Sequence, residues 1–366
     1  MNSSETSTGI LTIDLVKLTA NWQQLKSRLN GADCAAVIKA EAYGLGAARA
    51  AIQLCKAGCK EFFVAIIDEG IYLRKALSDS CVDAKIHILG GHMLTGQVLV
   101  EHNLIPVLNS LEDIKYWLEK YPQAPADIHI DTGMTRLGLS PKELKTLKKE
   151  PGRTIGLNIS HIISHLACSE DTKTGMNLDQ LEKFKKALTL FPGCKTSLAN
   201  SSGIFLGEEY HFNLARPGGA LYGINPTPGK PNPMHQVIKL QGKILQVREV
   251  NAPQCVGYGA TYKIKKKGRI ATVGVGYADG YHRSLSNNGF GFLGNICVPL
   301  VGRVSMDLTT FDVSNVPRHL VYPGALIDLI GPMNPVDDIA KAACTSAYEL
   351  LTSLGPRFQR VFRENS

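Results

Sequence analysis

Short apolar runs rich in Val, Ile and Phe recur along the first part of the chain, each followed by a segment of helical composition, and this alternation constrains the fold most. The runs lie at 35–38, 62–66, 86–89, 105–108, 128–131, 157–165, 196–199 and 212–215. Helical segments such as 141–149 and 178–190 fall between them. Eight strand-then-helix units fit an α/β fold of the (β/α)8 barrel type, with an open doubly wound sheet as the alternative because spacing does not give strand order. After Pro226, Pro228, Pro231 and Pro233 the texture changes to short strands between Gly and Pro turns, at 237–247, 269–276 and 297–301. The expectation is therefore a barrel over 10–233 and a C-terminal all-β domain over 234–366, with residues 1–13 a candidate to join the latter.

A length of 366 residues agrees with two cores. The apolar-leaning stretch 86–100 is interrupted by His87, His92, Thr95 and Gln97, so no membrane span is expected. The polar opening Met1 to Gly9 precedes the first basic residue, Lys17, and lacks the basic region of a secretory signal. A cytoplasmic protein is expected. The nine cysteines are scattered, so reduced thiols are expected; Cys55 and Cys59 have helical spacing but no further ligands nearby, and no metal is expected. A net charge of +8 is mild, and the basic cluster Lys263, Lys265, Lys266, Lys267 and Arg269 carries no aromatic ladder. It reads as a solvated turn, and no nucleic acid partner is expected.

In a barrel, chemistry gathers where strands end. The first strand ends Val37-Ile38-Lys39, which aims a lysine into the mouth. Burial and cationic neighbours lower an amine's pKa and make it a nucleophile able to condense with an aldehyde; a lysine snorkelling to solvent is the alternative. The seventh strand ends Ala199-Asn200-Ser201-Ser202-Gly203 and the eighth Ala215-Arg216-Pro217-Gly218-Gly219. Small residues there let backbone N–H groups approach a phosphate.

Ala36-Val37-Ile38-Lys39-Ala40 through Tyr43-Gly44-Leu45-Gly46 resembles the cofactor-lysine segment of alanine racemases. The resemblance continues through Asp131-Thr132-Gly133-Met134-Thr135-Arg136, Ser164-His165-Leu166, Ala199-Asn200-Ser201, Arg216-Pro217-Gly218, Gly257-Tyr258-Gly259, Gly276-Tyr277-Ala278-Asp279 and Arg303-Val304-Ser305-Met306-Asp307. It implies a fold type III pyridoxal-phosphate enzyme, an isomerase that interconverts L- and D-alanine, working as a homodimer whose sites mix residues of both subunits. D-Alanine for peptidoglycan would be its product.

By that resemblance Lys39 would tether the cofactor and act as one base, with Tyr258 the base on the opposite face. Tyrosine has a reference pKa of about 10, so a cationic setting must lower it. Arg216 would face the pyridine nitrogen and His165 would lie against the ring. Tyr43, Asn200, Ser201, Gly218, Gly219 and Tyr348 would hold the cofactor, most of them at its phosphate. Arg136 and the Met306 backbone would meet the substrate carboxylate, and Tyr277 would narrow the entrance. Asp307 would orient its neighbours. One departure stands out: many members carry a carbamylated lysine where this chain has His129, so Arg136 needs another neighbour, a bound anion or a direct hydrogen bond. Alternatives are a broader alanine/serine racemase and a fold type III amino-acid decarboxylase; a non-catalytic carrier would not need the second domain.

Overall fold

The computed structural model describes residues 6–78, 81–90 and 95–364, and divides into two compact units. One unit comprises 18–221 and 225–235. Its strands Ala36–Val37, Glu61–Val64, Lys85–Ile88, Ile105–Leu108, Ala126–His129, Ile159–Ile163 and Thr196–Ser197 form a parallel sheet whose spatial order follows the chain. An eighth strand, Leu214–Ala215, pairs in parallel with Asp33–Cys34.

Backbone hydrogen bonds close the ring. Arg216 N donates to Ala199 O at 2.8 Å, while Ala35 N and Val37 N donate to Ala215 O and Pro217 O, each at 2.9 Å. The strand order never reverses, so the structure is the barrel rather than the open sheet.

Strands Glu61–Val64 and Ile105–Leu108 are buried along their whole length, as a sheet covered on both faces requires. The helices begin on local signals. Ser140 Oγ accepts from Glu143 N at 3.3 Å while Glu143 Oε2 accepts from Ser140 N at 2.8 Å, a reciprocal cap that starts Pro141–Lys149. Ser110 Oγ starts Leu111–Lys120 in the same way by accepting from Asp113 N at 3.0 Å.

The other unit comprises the N-terminal residues to Lys17, 222–224 and 236–366. Strand Gly9–Asp14 lies between Ile238–Val250, antiparallel, and Gln359–Arg363, parallel. Residues 1–5 of the expected N-terminal tail lie outside the described residues, as do residues 91–94, which include His92. The long strand Ile238–Val250 also pairs with Gly268–Val273 and Leu326–Ile330, which makes it the spine of the unit. Residues 265–267 of the basic cluster are exposed in the turn before Gly268–Val273.

One expectation needs correction. Cys55 and Cys81 are joined as a disulfide, with their Cα atoms 6.5 Å apart. Cys55 sits near the end of helix Ala47–Lys56, and Cys81 follows helix Ile67–Leu77, its N–H bonded to Leu77 O at 2.9 Å. Spacing along the chain does not reveal such a meeting of adjacent helices. No described helix is long and apolar enough to cross a membrane.

Candidate active site

Lys39 follows the first barrel strand after Ile38 and opens an unusual turn. Ala40, Glu41, Ala42 and Tyr43 all have positive φ, between 51° and 58°, and Gly44 follows at 80°. A left-handed turn of L-residues costs about 1–2 kcal/mol per residue, so neighbours must hold it. Glu69 supplies one clamp: its Oε1 accepts from Ala40 N at 2.6 Å and its Oε2 from Ala65 N at 2.7 Å. Glu41 supplies another by accepting from Ala47 N at 3.1 Å. The turn commits Lys39 and Tyr43 to fixed directions. Burial, reinforced by the Arg136 charge and opposed by Glu69, lowers the Lys39 amine's pKa and favours its neutral, nucleophilic form.

Arg216 is 5% exposed. Its guanidinium donates to Ser197 Oγ and to Ser164 O, and it lies 5.8 Å from the Phe63 ring centroid. Burial pulls its pKa down to about 10, with Asp127 opposing, and it stays cationic at neutral pH.

The mouth therefore collects positive charge, and its histidines respond. Burial, then the charges of Arg216 and Arg136, drive His165 down to about 3. Burial and Arg216 drive His129 down to about 4 against the pull of Asp131. Both imidazoles are neutral near pH 7. His129 Nδ1 pairs with Asn109 Oδ1 at 2.9 Å, so the direct hydrogen bond to Arg136 considered from the sequence is not the one it makes.

A cradle lies between the ends of the first, seventh and eighth strands. Ser201 Oγ accepts from Gly218 N at 3.0 Å and Ala220 N at 3.1 Å. A Cβ on Gly218 would collide with Tyr43 Oη, so only glycine lets that backbone come so close. Asn200 Oδ1 accepts from Gly203 N at 2.9 Å, which folds the loop back on itself. Burial pushes the Tyr43 phenol upward, keeping it a neutral hydrogen-bonding group.

These features fit pyridoxal phosphate on three counts. An amine of lowered pKa can take the aldehyde, a close backbone approach beside Ser201 and Tyr43 suits a phosphate, and a buried arginine answers a ring nitrogen.

The structure thus brings Lys39, Tyr43, Arg136, His165, Asn200, Ser201, Arg216, Gly218 and Gly219 into the barrel unit, while Tyr258, Tyr277, Met306 and Tyr348 belong to the other. There Tyr258 stands 73% exposed on a short turn after Gly257, whose φ is 72°. Tyr277 N donates to Ser305 O at 3.0 Å and Ala278 N to Met306 O at 2.9 Å, so the Tyr277 and Met306 loops are stitched together. Arg357 bridges them, with Nε on Asp279 Oδ1 at 2.6 Å and Nη1 on Asp307 Oδ1 at 2.8 Å. Sequence reasoning missed Glu69, Asn109 and Arg357. A strand-end amide opposite a histidine was the only trace of Asn109.

A barrel with a nucleophilic lysine at one strand end and an anion cradle at two others defines a class of enzyme that works through an aldehyde cofactor. Comparison with known proteins narrows it. Family models described as the alanine racemase N-terminal and C-terminal domains match residues 13–226 and 237–362. An alanine racemase of Rhodospirillum rubrum is 49% identical, with 99% of this chain and 98% of that protein covered. A catabolic alanine racemase of Mesorhizobium japonicum is 43% identical over 98% of this chain and 94% of its own. The crystal structure of alanine racemase from Bartonella henselae with covalently bound pyridoxal phosphate has a TM-score of 0.93 at 39% identity, covering 98% of this chain and 100% of that one. The chain belongs to the alanine racemase family.

Proposed function

We propose that this protein is a pyridoxal-phosphate-dependent alanine racemase that uses Lys39 and Tyr258 as its two bases. The observation that carries the reading is the Lys39 amine, its pKa lowered by burial and by Arg136, in a family whose Bartonella member binds that cofactor covalently. When bound, the cofactor draws electron density from the substrate Cα and so makes its proton removable.

The chain's own residues do the rest. Lys39 takes or returns the Cα proton on one face. A single base would give the proton back to the side it left, so inversion needs a second group, and Tyr258 supplies it from the other face. The exposure of Tyr258 in its own unit supports its delivery to a second copy of the chain, which makes the working form a homodimer with shared sites. Arg216, which keeps its charge, would face the ring nitrogen of a bound cofactor and hold it unprotonated, limiting electron withdrawal and favouring prompt proton return. His165, neutral, would lie against the ring of a bound cofactor.

Tyr43, Asn200, Ser201, Gly218 and Gly219, joined by Tyr348, bind the cofactor and fix its phosphate. Arg136 and the Met306 N–H hold the substrate carboxylate, with an anion beside His129 balancing the arginines. Tyr277 restricts the side chain to a methyl group. We place the enzyme in the cytoplasm, supplying D-alanine to peptidoglycan; the catabolic name of the Mesorhizobium relative favours a role in alanine breakdown as the second reading.

The decisive experiment is Tyr258→Phe. Turnover of L-alanine should fall by about 10²–10⁴-fold while borohydride still fixes a yellow cofactor onto Lys39. Unchanged racemisation would reject the two-base assignment. Activity that persists in a monomer on dilution would reject the shared site. A preference for serine, lysine or arginine, or release of carbon dioxide, would reject the alanine specificity or the reaction type. Failure of a deletion strain to require D-alanine would move the role to catabolism.

A further inference from the structure

A second buried polar group lies inside the barrel, apart from the residues assigned to the reaction. Glu61, His87 and His161 come from the second, third and sixth strands and are 7%, 0% and 1% exposed. Each offers one ligand atom, and these atoms lie within 4.8 Å of one another. His87 Nε2 is 3.2 Å and His161 Nε2 3.7 Å from the same oxygen, Glu61 Oε2. A tetrahedral zinc with bonds of about 2.0–2.1 Å sets its ligand atoms about 3.3 Å apart.

Proximity alone would also describe hydrogen bonds, but His87 Nε2 and Glu61 Oε2 make no well-aligned hydrogen bond despite their 3.2 Å separation. Their geometry does not aim the ring N–H at the oxygen. With the imidazole neutral and its one proton on Nδ1 toward Asp127, His87 Nε2 and Glu61 Oε2 both offer lone pairs, which suits a shared cation placed between them.

The surroundings complete the pattern. Asp127, fully buried, takes His87 Nδ1 on Oδ2 at 2.7 Å and lies 3.4 Å from His161 Nδ1 through Oδ1. A carboxylate behind the imidazoles orients them with Nε2 forward, the arrangement that steadies histidine ligands in metal sites. Ser160 Oγ, 3.1 Å from His161 Nδ1, adds to that support. Lys85 Nζ occupies the other Glu61 oxygen at 3.3 Å, which leaves Oε2 free to face inward.

We propose that the barrel interior binds one divalent transition-metal ion, zinc being the best fit, through Glu61 Oε2, His87 Nε2 and His161 Nε2. The donor set of two imidazoles and one carboxylate suits zinc rather than calcium or magnesium. The ion ties three barrel strands together and has no part in the racemase reaction. A cavity of about 610 Å³ whose lining includes Lys85 and Ser160 gives access to the groups flanking the ligands, but Arg74, Lys85 and Lys195 make its wall cationic. Exchange with free metal is therefore slow, and loading accompanies folding.

The test uses the full chain, produced in zinc-supplemented medium and dialysed against a chelating buffer. Elemental analysis should find about one zinc per chain. Refolding in cobalt chloride should give the visible bands of a four-coordinate nitrogen–oxygen site without sulfur-to-cobalt charge transfer. Glu61→Gln should lower zinc affinity by at least about tenfold.

Absence of both retained zinc and cobalt bands in the unaltered chain overturns the proposal and leaves the cluster as a proton-balanced ion-pair network. Equal retention by Glu61→Gln, or sulfur bands from exposed Cys255, Cys297 or Cys344, overturns it by placing the metal elsewhere. Because the cobalt spectrum needs no variant, a misfolded Glu61→Gln chain does not rescue the idea, and neither result depends on the racemase reading.

Discussion

Two polar layers share one barrel, and histidine behaves oppositely in them. At the mouth, among Arg216, Arg136 and Lys39, His165 is held at about 3 and His129 at about 4. Deeper in, with no ion bound, burial again opposes charging, but Asp127 and Glu61 outweigh it and lift His87 to about 9. The Phe63 ring stacks on His87 at 4.3 Å and has the Arg216 guanidinium 5.8 Å from its centroid, so one aromatic side chain adjoins both. The contrast shows what each layer lacks. The inner one carries its own carboxylates, both lowered to about 2, because the histidines outweigh the cost of burial. The mouth has a surplus of cations, and a dianionic cofactor with a carboxylate substrate would balance it.

The largest test of that contrast removes the mouth's nucleophile. Lys39→Ala should reduce racemisation by about 10⁴-fold or more, with the far-ultraviolet circular dichroism unchanged, since no inner charge loses its partner. Next, Asp127→Ala strips the inner layer of the carboxylate that faces Nδ1 of both His87 and His161 and leaves those buried ring nitrogens without it. Urea unfolding should show a loss of about 3–5 kcal/mol, and a loss under 1 kcal/mol would mean the layers do not differ as described.

A smaller effect comes from pH. His165 has a folded-state pKa below its unfolded value, so its contribution is complete above about pH 6.5 and fades as pH falls toward 3. Between about pH 7 and 5 the protein should lose about 1–2 kcal/mol that a His165→Gln variant does not lose. The smallest is Ala40→Gly, which relieves one left-handed residue and should raise stability by about 1 kcal/mol while slackening Lys39 and lowering kcat.

The barrel was legible because most of its buried parallel strands lie in short apolar runs, and 141–149 emerged as a helix to the residue, its start fixed in the structure by Ser140, Pro141 and Glu143. The mouth was legible because strand ends concentrate small and charged residues. Strand Gly9–Asp14 was not resolved as an element, since its partners begin at Ile238 and Gln359 and no local turn announces it. The inner cluster escaped for a related reason. Each of its residues lies on a different strand among apolar neighbours, and only barrel closure reveals that Glu61, His87, Asp127 and His161 share an interior. The search for metal ligands followed cysteine spacing, whereas the donors lie on separate strands.

The bond from Arg216 N to Ala199 O helps close the ring, and the bond from Val37 N to Pro217 O joins the two chain segments that carry Lys39 and Arg216. A growing polypeptide therefore has no complete nest for the coenzyme until its eighth strand has emerged and docked against its first.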